Sequence, residues 1–158
     1  MYFQRINAGD PEKMFILAKN SAATALSNGQ SVVWDWTTDV DGVGVQDGFG
    51  TENVSCGIDF AGIAVESIAV GAYGLLQTYG YHAAVRVRTM TSTGHVYHES
   101  RAAIAKGTPL VAGITASVFC MEGITPAETA QVLHPGAFAM EAQASFTTKT
   151  IKAFIKAM

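Results

Sequence analysis

The chain has 158 residues, 49% of them hydrophobic and only 15% charged, with a formal net charge of -3. Its length allows one domain that buries roughly 68% of its unfolded surface, so a core forms without disulfides or metal. The acidic balance excludes a phosphate-seeking, nucleic-acid-binding surface, and the lack of any run of about 18 apolar residues excludes a helical membrane span.

Turn signals recur about every ten residues, the spacing of an all-β domain. Residues 2–7 read as a first short strand, an N-terminal arm closed by Gly9, Asp10 and Pro11. Residues 14–20 (MFILAKN) read as a second strand, and Asn28-Gly29 as a turn that takes positive φ cheaply. Residues 31–36 (SVVWDW) are rich in β-branched and aromatic side chains, as strands are. Asp39, Asp41 and Gly42 mark a turn before a short strand at 43–45, and residues 46–57 are a polar, glycine-rich loop.

Residues 60–67 and 68–89 carry strand patterns split by Gly71, Gly74 and Gly80. Val85 and Val87 alternate with Arg86 and Arg88, which predicts a half-buried strand with a wet face. Residues 91–95 read as a turn, Lys106-Gly107 as another, and 109–122 as one or two buried strands. Residues 125–133 (TPAETAQVL) fit a short helix, with Thr125 as N-cap and Pro126 in the first position. In the last segment Phe146, Ile151, Phe154, Ile155 and Met158 can share a helical face opposite Lys149, Lys152 and Lys156. The threonines weaken that helix, so the segment is either a docked terminal element or an arm that orders on a partner. The expected fold is mainly β: a small antiparallel β-barrel or β-sandwich over residues 14–122, with residues 123–158 as a tail or short helix.

Three stretches share one layout: 26–35, 68–77 and 104–113. Each has an apolar residue, a turn centred on Gly29, Gly71 or Gly107, and an apolar strand beginning soon after. A repeated unit produces this, and so does any meander of short strands; spacing alone favours the meander.

These residues resemble phage head decoration proteins. The resemblance rests on Asn20, Ala23-Thr24, Gly29, Val32-Val33 and Asp35, on Phe60, Gly62, Ile63-Ala64, Gly71, Gly74, Gln77 and Gly80, and on Gly107, Pro109 and Leu110. It covers residues 14–122 and consists of turn glycines and core apolar positions, which specify a fold and not a chemistry. It implies a structural protein made in a bacterial cytoplasm and carried on the capsid exterior of a tailed phage. Its partners would be the major capsid protein and itself, as a dimer or trimer, and it would cement the assembled shell. The contrasting reading is a small β-domain that binds a glycan or host-surface ligand through an exposed tryptophan.

The search for reactive groups leads to the expectation of no enzyme, no cofactor and no metal. His95 and His98 stand three apart in a strand-like segment, where they face opposite sides. Asp35, Asp39, Asp41 and Asp47 lack the remaining ligands of a calcium loop and read as turn formers. Cys120 lies in an apolar strand and Cys56 in a loop; the pair fit buried thiols, with a single disulfide left open. A Cys–His pair with His82, His95, His98 or His134 has no supporting motif. The interface candidates are Trp34 and Trp36, of which one should face outward, Arg86 and Arg88 on the wet strand face, and Phe154 and Ile155 in the terminal segment.

Overall fold

A computed structural model describes residues 12–37, 42–47, 59–88, 103–112, 121–123, 135–144 and 148–157. These residues form nine strands: β1 Met14–Asn20, β2 Ser31–Trp34, β3 Gly44–Gln46, β4 Phe60–Ala64, β5 Tyr73–Arg88, β6 Pro109–Ala112, β7 Met121–Gly123, β8 Ala137–Ala139 and β9 Lys149–Lys156. No helix occurs among the described residues. The expected arm at 2–7, the turn at 91–95, the helix at 125–133, and Cys56, Cys120, His95, His98 and His134 lie outside them.

The strands form one sheet in the order β1-β3-β2-β4-β5-β7-β6-β8-β9, with further pairings of β1 to β5 and of β5 to β9. Each extra pairing closes a ring. The first barrel is β1-β3-β2-β4-β5 and the second is β5-β7-β6-β8-β9, with β5 common to both. The sheet is mixed and not wholly antiparallel, because β1 runs parallel to β3 and β5 parallel to β7.

The second barrel repeats the first. Before β2, β5 and β6 the chain makes the same move: Leu26, Ile68 and Ile104 are each held by an isolated bridge, and each is followed by a four-residue turn. The turns close by Gln30 N–H to Ser27 O (3.1 Å), Ala72 N–H to Ala69 O (3.0 Å) and Thr108 N–H to Ala105 O (3.1 Å). Their third residues, Gly29, Gly71 and Gly107, sit at φ of 78°, 75° and 85°, the left-handed region that a type II turn reserves for glycine. Across the sheet, Gly29 N–H donates to Ala64 O at 2.8 Å and Gly107 N–H to Ala139 O at 2.7 Å. Ala64 N–H donates to Gln30 O, and Ala139 N–H to Thr108 O. The shared layout of these stretches is therefore a structural repeat and not a plain meander.

Two contiguous cores follow. Ala18, Leu26, Val32, Val45, Ala61, Ala64, Ile68 and Leu76 fill the first barrel. The second cluster is built on Val85, Val87, Ile104, Leu110, Ala139, Ile151, Ala153 and Ile155, and takes in Val33, Phe60 and Ile63 from β2 and β4. Successive strand residues point to opposite faces, so β2 and β4 feed both cores.

Two expectations are corrected here. The glycines at 74 and 80 do not split the central segment, which runs as one strand of 16 residues. The terminal segment is the docked element of the two alternatives, and it docks as a strand and not as a helix: β9 pairs with β5 from Tyr79↔Lys156 to Val87↔Lys149 and closes the second barrel. Its burial alternates with period two, Ile151, Ala153 and Ile155 inward and Lys152 outward, which a strand satisfies and a helix does not.

The three turn glycines separate two costs. An added Cβ on Gly29 would lie 2.1 Å from the Ala84 carbonyl oxygen of β5, whereas nothing lies within 4 Å at Gly71 or Gly107. Gly71→Ala and Gly107→Ala should cost only the left-handed backbone, about 1–2 kcal/mol each. Gly29→Ala should cost clearly more, beyond about 3 kcal/mol once strain and the clash are combined. Urea denaturation of the three variants checks the order, and equal losses would contradict the close approach.

Candidate functional site

The described surface has two features that the barrels themselves do not require. One is the outward side of the β1–β5 pair. Strand register places Leu17 opposite Leu75 and Lys19 opposite Tyr73, so each pair shares one side of the sheet. Phe15 is 47% exposed, Leu17 61%, Tyr73 60% and Leu75 43%. Val70, also exposed, stands in the turn before β5, where Gly71 N–H donates to Asn20 O. Scattered apolar residues are normal on a surface, but a contiguous set marks a contact site.

The second barrel offers the same position for comparison. Val65 N–H donates to Leu75 O (3.2 Å), and Met140 N–H donates to Lys152 O (2.8 Å). Leu75 N–H donates to Glu66 Oε1 and Lys152 N–H to Glu141 Oε2, both at 3.1 Å. Leu75 and Lys152 are thus the same position in two copies of one design. In the second barrel Lys152 Nζ pairs with Glu141 Oε1 at 2.6 Å. That bond lowers the Glu141 carboxyl below its usual range and raises the Lys152 ammonium above its own. In the first barrel the lysine is replaced by an exposed leucine.

The other feature is Trp36, 64% exposed in the turn that follows β2. Its Nε1–H donates to Asp59 Oδ1 at 3.0 Å, and its ring lies 6.0 Å from that of half-buried Trp34, tilted by 40°. Of the two tryptophans it is Trp36 that faces outward.

The remaining sequence candidates fall elsewhere. Arg86 and Arg88 are half-buried on the outward side of β5, as the alternation with Val85 and Val87 predicts. Arg86 borders an open hollow with Thr148, Lys149 and Thr150, and its N–H donates to Gly29 O. Ile155 is wholly buried in the second core and cannot meet a partner, which corrects its selection as an interface residue. Phe154 is half-buried and packs edge-on against Tyr79, with centroids 5.2 Å apart. The six candidates therefore do not converge on one place.

Of the four aspartates, Asp35 and Asp47 serve the fold, and Asp39 and Asp41 lie outside the described residues. Asp35 is buried and accepts hydrogen bonds from Ser21 Oγ at 2.7 Å and from Thr37 N–H and Oγ1–H. Asp47 accepts from Thr24 Oγ1 at 2.6 Å. Among the described residues no three His, Cys, Asp or Glu side chains gather to hold a metal, and no helix is long and apolar enough to cross a membrane.

Sequence reasoning missed Phe15, Leu17, Tyr73 and Leu75. The signal was present in MFILAKN, where Phe15 and Leu17 are apolar on the face a lone barrel strand leaves to water. In the strand KTIKAFIK that face carries Thr150, Lys152, Phe154 and Lys156.

No family model matches the chain, and no curated protein matches it. Among solved structures, the chain is similar to the N base of head fiber gp8.5 in bacteriophage phi29, at 14% identity and a TM-score of 0.46, over 92% of this chain and 96% of that one.

One titratable group sits where the two barrels share β5. His82 is buried, and its Nδ1 accepts the Ala84 N–H at 3.1 Å across a bulge between His82 and Val85. Burial, and secondarily the charge of Lys13, lower its pKa from 6.5. A pKa lower in the fold than in the unfolded chain means that His82 favours folding fully above pH 6.5. That contribution is lost as pH falls through the folded value, since imidazolium at Nδ1 no longer accepts the bond. Unfolding free energies at pH 7.5 and 5.0 should fall more steeply for the native chain than for His82→Gln. Identical slopes would remove His82 as the cause.

Proposed function

We propose that this chain is a structural protein of a tailed-phage head that binds the outside of the assembled shell and stabilises it. The observation that carries the reading is the apolar β1–β5 face of the first barrel. The same fold, built again in the second barrel, puts Lys152 where the first has Leu75, so nothing in the architecture demands an exposed leucine. Such a face is made to be covered. The phage-head attribution comes from the sequence resemblance, whose Gly29, Val32, Ala64, Gly71 and Gly107 are turn and core positions of the repeated unit.

The physics of such a protein is linkage. A molecule that binds the assembled shell and not its free subunits shifts the equilibrium toward assembly. Oligomers that bridge neighbouring subunits multiply modest contacts through effective concentration. Heating shells purified without the protein, with and without adding it back, should raise their disruption temperature and leave the protein in the pelleted fraction. A protein that stays in the supernatant and leaves disruption unchanged would sink the proposal.

A second reading is favoured by Trp36: a glycan-binding platform made by its exposed ring, which the Asp59 bond steadies. Sugars stack on such rings and quench their fluorescence. Titration with bacterial surface polysaccharide should give saturable quenching that Trp36→Ala abolishes, and a flat titration removes this reading.

A further inference from the structure

We propose that the outward side of the β5–β9 pair is a cationic track that binds a linear, carboxylate-bearing polysaccharide. The track uses neither Trp36 nor any residue of the β1–β5 face, so shell binding neither supports nor weakens it.

The chain carries a formal net charge of -3, yet its cations are not spread evenly. Strand register fixes one side of the second barrel: Lys156 stands opposite Tyr79, Phe154 opposite Tyr81 and Thr150 opposite Arg86. Lys152 falls on that side too, in the alternation of β9. Lys13 joins from the residues before β1, with Nζ 5.9 Å from the centre of the Tyr81 ring. At the far end Arg86 and Lys149 border one open hollow with Thr148 and Thr150. From Thr150 to Lys156 the track runs about 20 Å along the strand.

Little on the protein neutralises this charge. Glu141 holds Lys152, and Arg88 stands in register with Glu122 of β7. Lys13, Arg86, Lys149 and Lys156 have no ion pair among the described residues. A single exposed charge attracts weakly and is screened by salt. Several in a row reinforce one another when one flexible chain bears the opposing charges, because each contact raises the effective concentration of the next. The planar fork of Arg86 suits a carboxylate, and its backbone is pinned by the N–H bond to Gly29 O at 2.8 Å.

The neighbouring residues select the kind of polymer. Single-stranded nucleic acid stacks its bases on open aromatic rings. Here Tyr79 and Phe154 pack edge-on with centroids 5.2 Å apart, and Lys13 lies over Tyr81. A folded protein partner meets an apolar centre with a polar rim. Neither β9 nor the second half of β5 exposes a large apolar side chain, and the exposed methionines nearby, Met14 and Met140, stand singly at the margins. Cations and hydroxyls in a narrow row suit a hydrated sugar chain, whose hydroxyls bond the threonines while its carboxylates meet the lysines and Arg86.

Polygalacturonate and neutral dextran are the probes. Calorimetric titration of the full chain should show saturable binding of polygalacturonate and none of dextran, with affinity falling about tenfold or more between about 50 and about 200 mM salt. Arg86→Gln combined with Lys149→Gln should weaken binding about fivefold. Lys149→Gln alone, at the exposed start of β9, guards against a folding effect and should lower affinity in the same direction. Lys19→Gln combined with Lys106→Gln removes two cations off the track and should leave binding unchanged, as should Trp36→Ala. No saturable binding, equal losses in the two double variants, or equal uptake of dextran would each overturn the proposal. So would tighter binding of poly-glutamate or single-stranded DNA than of polygalacturonate, which would give the track to an acidic protein or to nucleic acid.

Discussion

Everything in this fold depends on β5 serving two closed sheets at once. The strand has 16 residues, and its first half pairs with β1 and β4 while its second half pairs with β7 and β9. A closed sheet has no free edge to attract another chain. Sharing a strand lets two small barrels, each too thin to hold a large core, support each other through one continuous backbone. The crossing point is crowded. Gly80 sits at φ 97°, and a Cβ there would lie 2.1 Å from the Glu12 carbonyl oxygen. The bulge after His82 re-aims the strand from one ring to the next.

Repetition is the second theme. One design, a bridged apolar residue, a tight turn with glycine in third place and then a core strand, opens β2, β5 and β6. Its polar details recur where the residue type permits. Gln30 Oε1 accepts the Ser27 N–H and Thr108 Oγ1 accepts the Ala105 N–H, while Ala72 has no side chain able to do so. Such agreement across levels, from turn residue to hydrogen bond to core position, is what gives a chain one preferred fold.

Two copies of one framework act as each other's control. Where they agree, the residues answer to folding: the turn glycines, the small Ala64 and Ala139, and the carboxylates Glu66 and Glu141 that accept a backbone N–H. Where they differ, folding is not the reason. On the equivalent strands the first barrel turns Tyr73 and Leu75 outward and the second Thr150, Lys152 and Phe154, so the copies differ position by position on that side.

Local signals in the chain were enough to mark β1 at Met14–Asn20, to begin β2 at Ser31 and β4 at Phe60, to place turns at Gly29, Gly71 and Gly107, and to orient Val85 and Val87 against Arg86 and Arg88. Each of those rests on side-chain alternation or on a backbone angle, which neighbouring residues control. The tertiary structure decided the rest. Whether Gly74 and Gly80 interrupt a strand depends on the partners that hold it, and β1 and β9 carry β5 through both. Ile155 and Phe154 look equally able to dock outside, yet closure of the second barrel turns one into core and leaves the other on the rim. The β1–β5 face escaped the sequence because exposure is not a property of a residue. Leu17 and Leu75 become a surface only when pairing across 58 positions sets them side by side, with no further layer of the described structure above them.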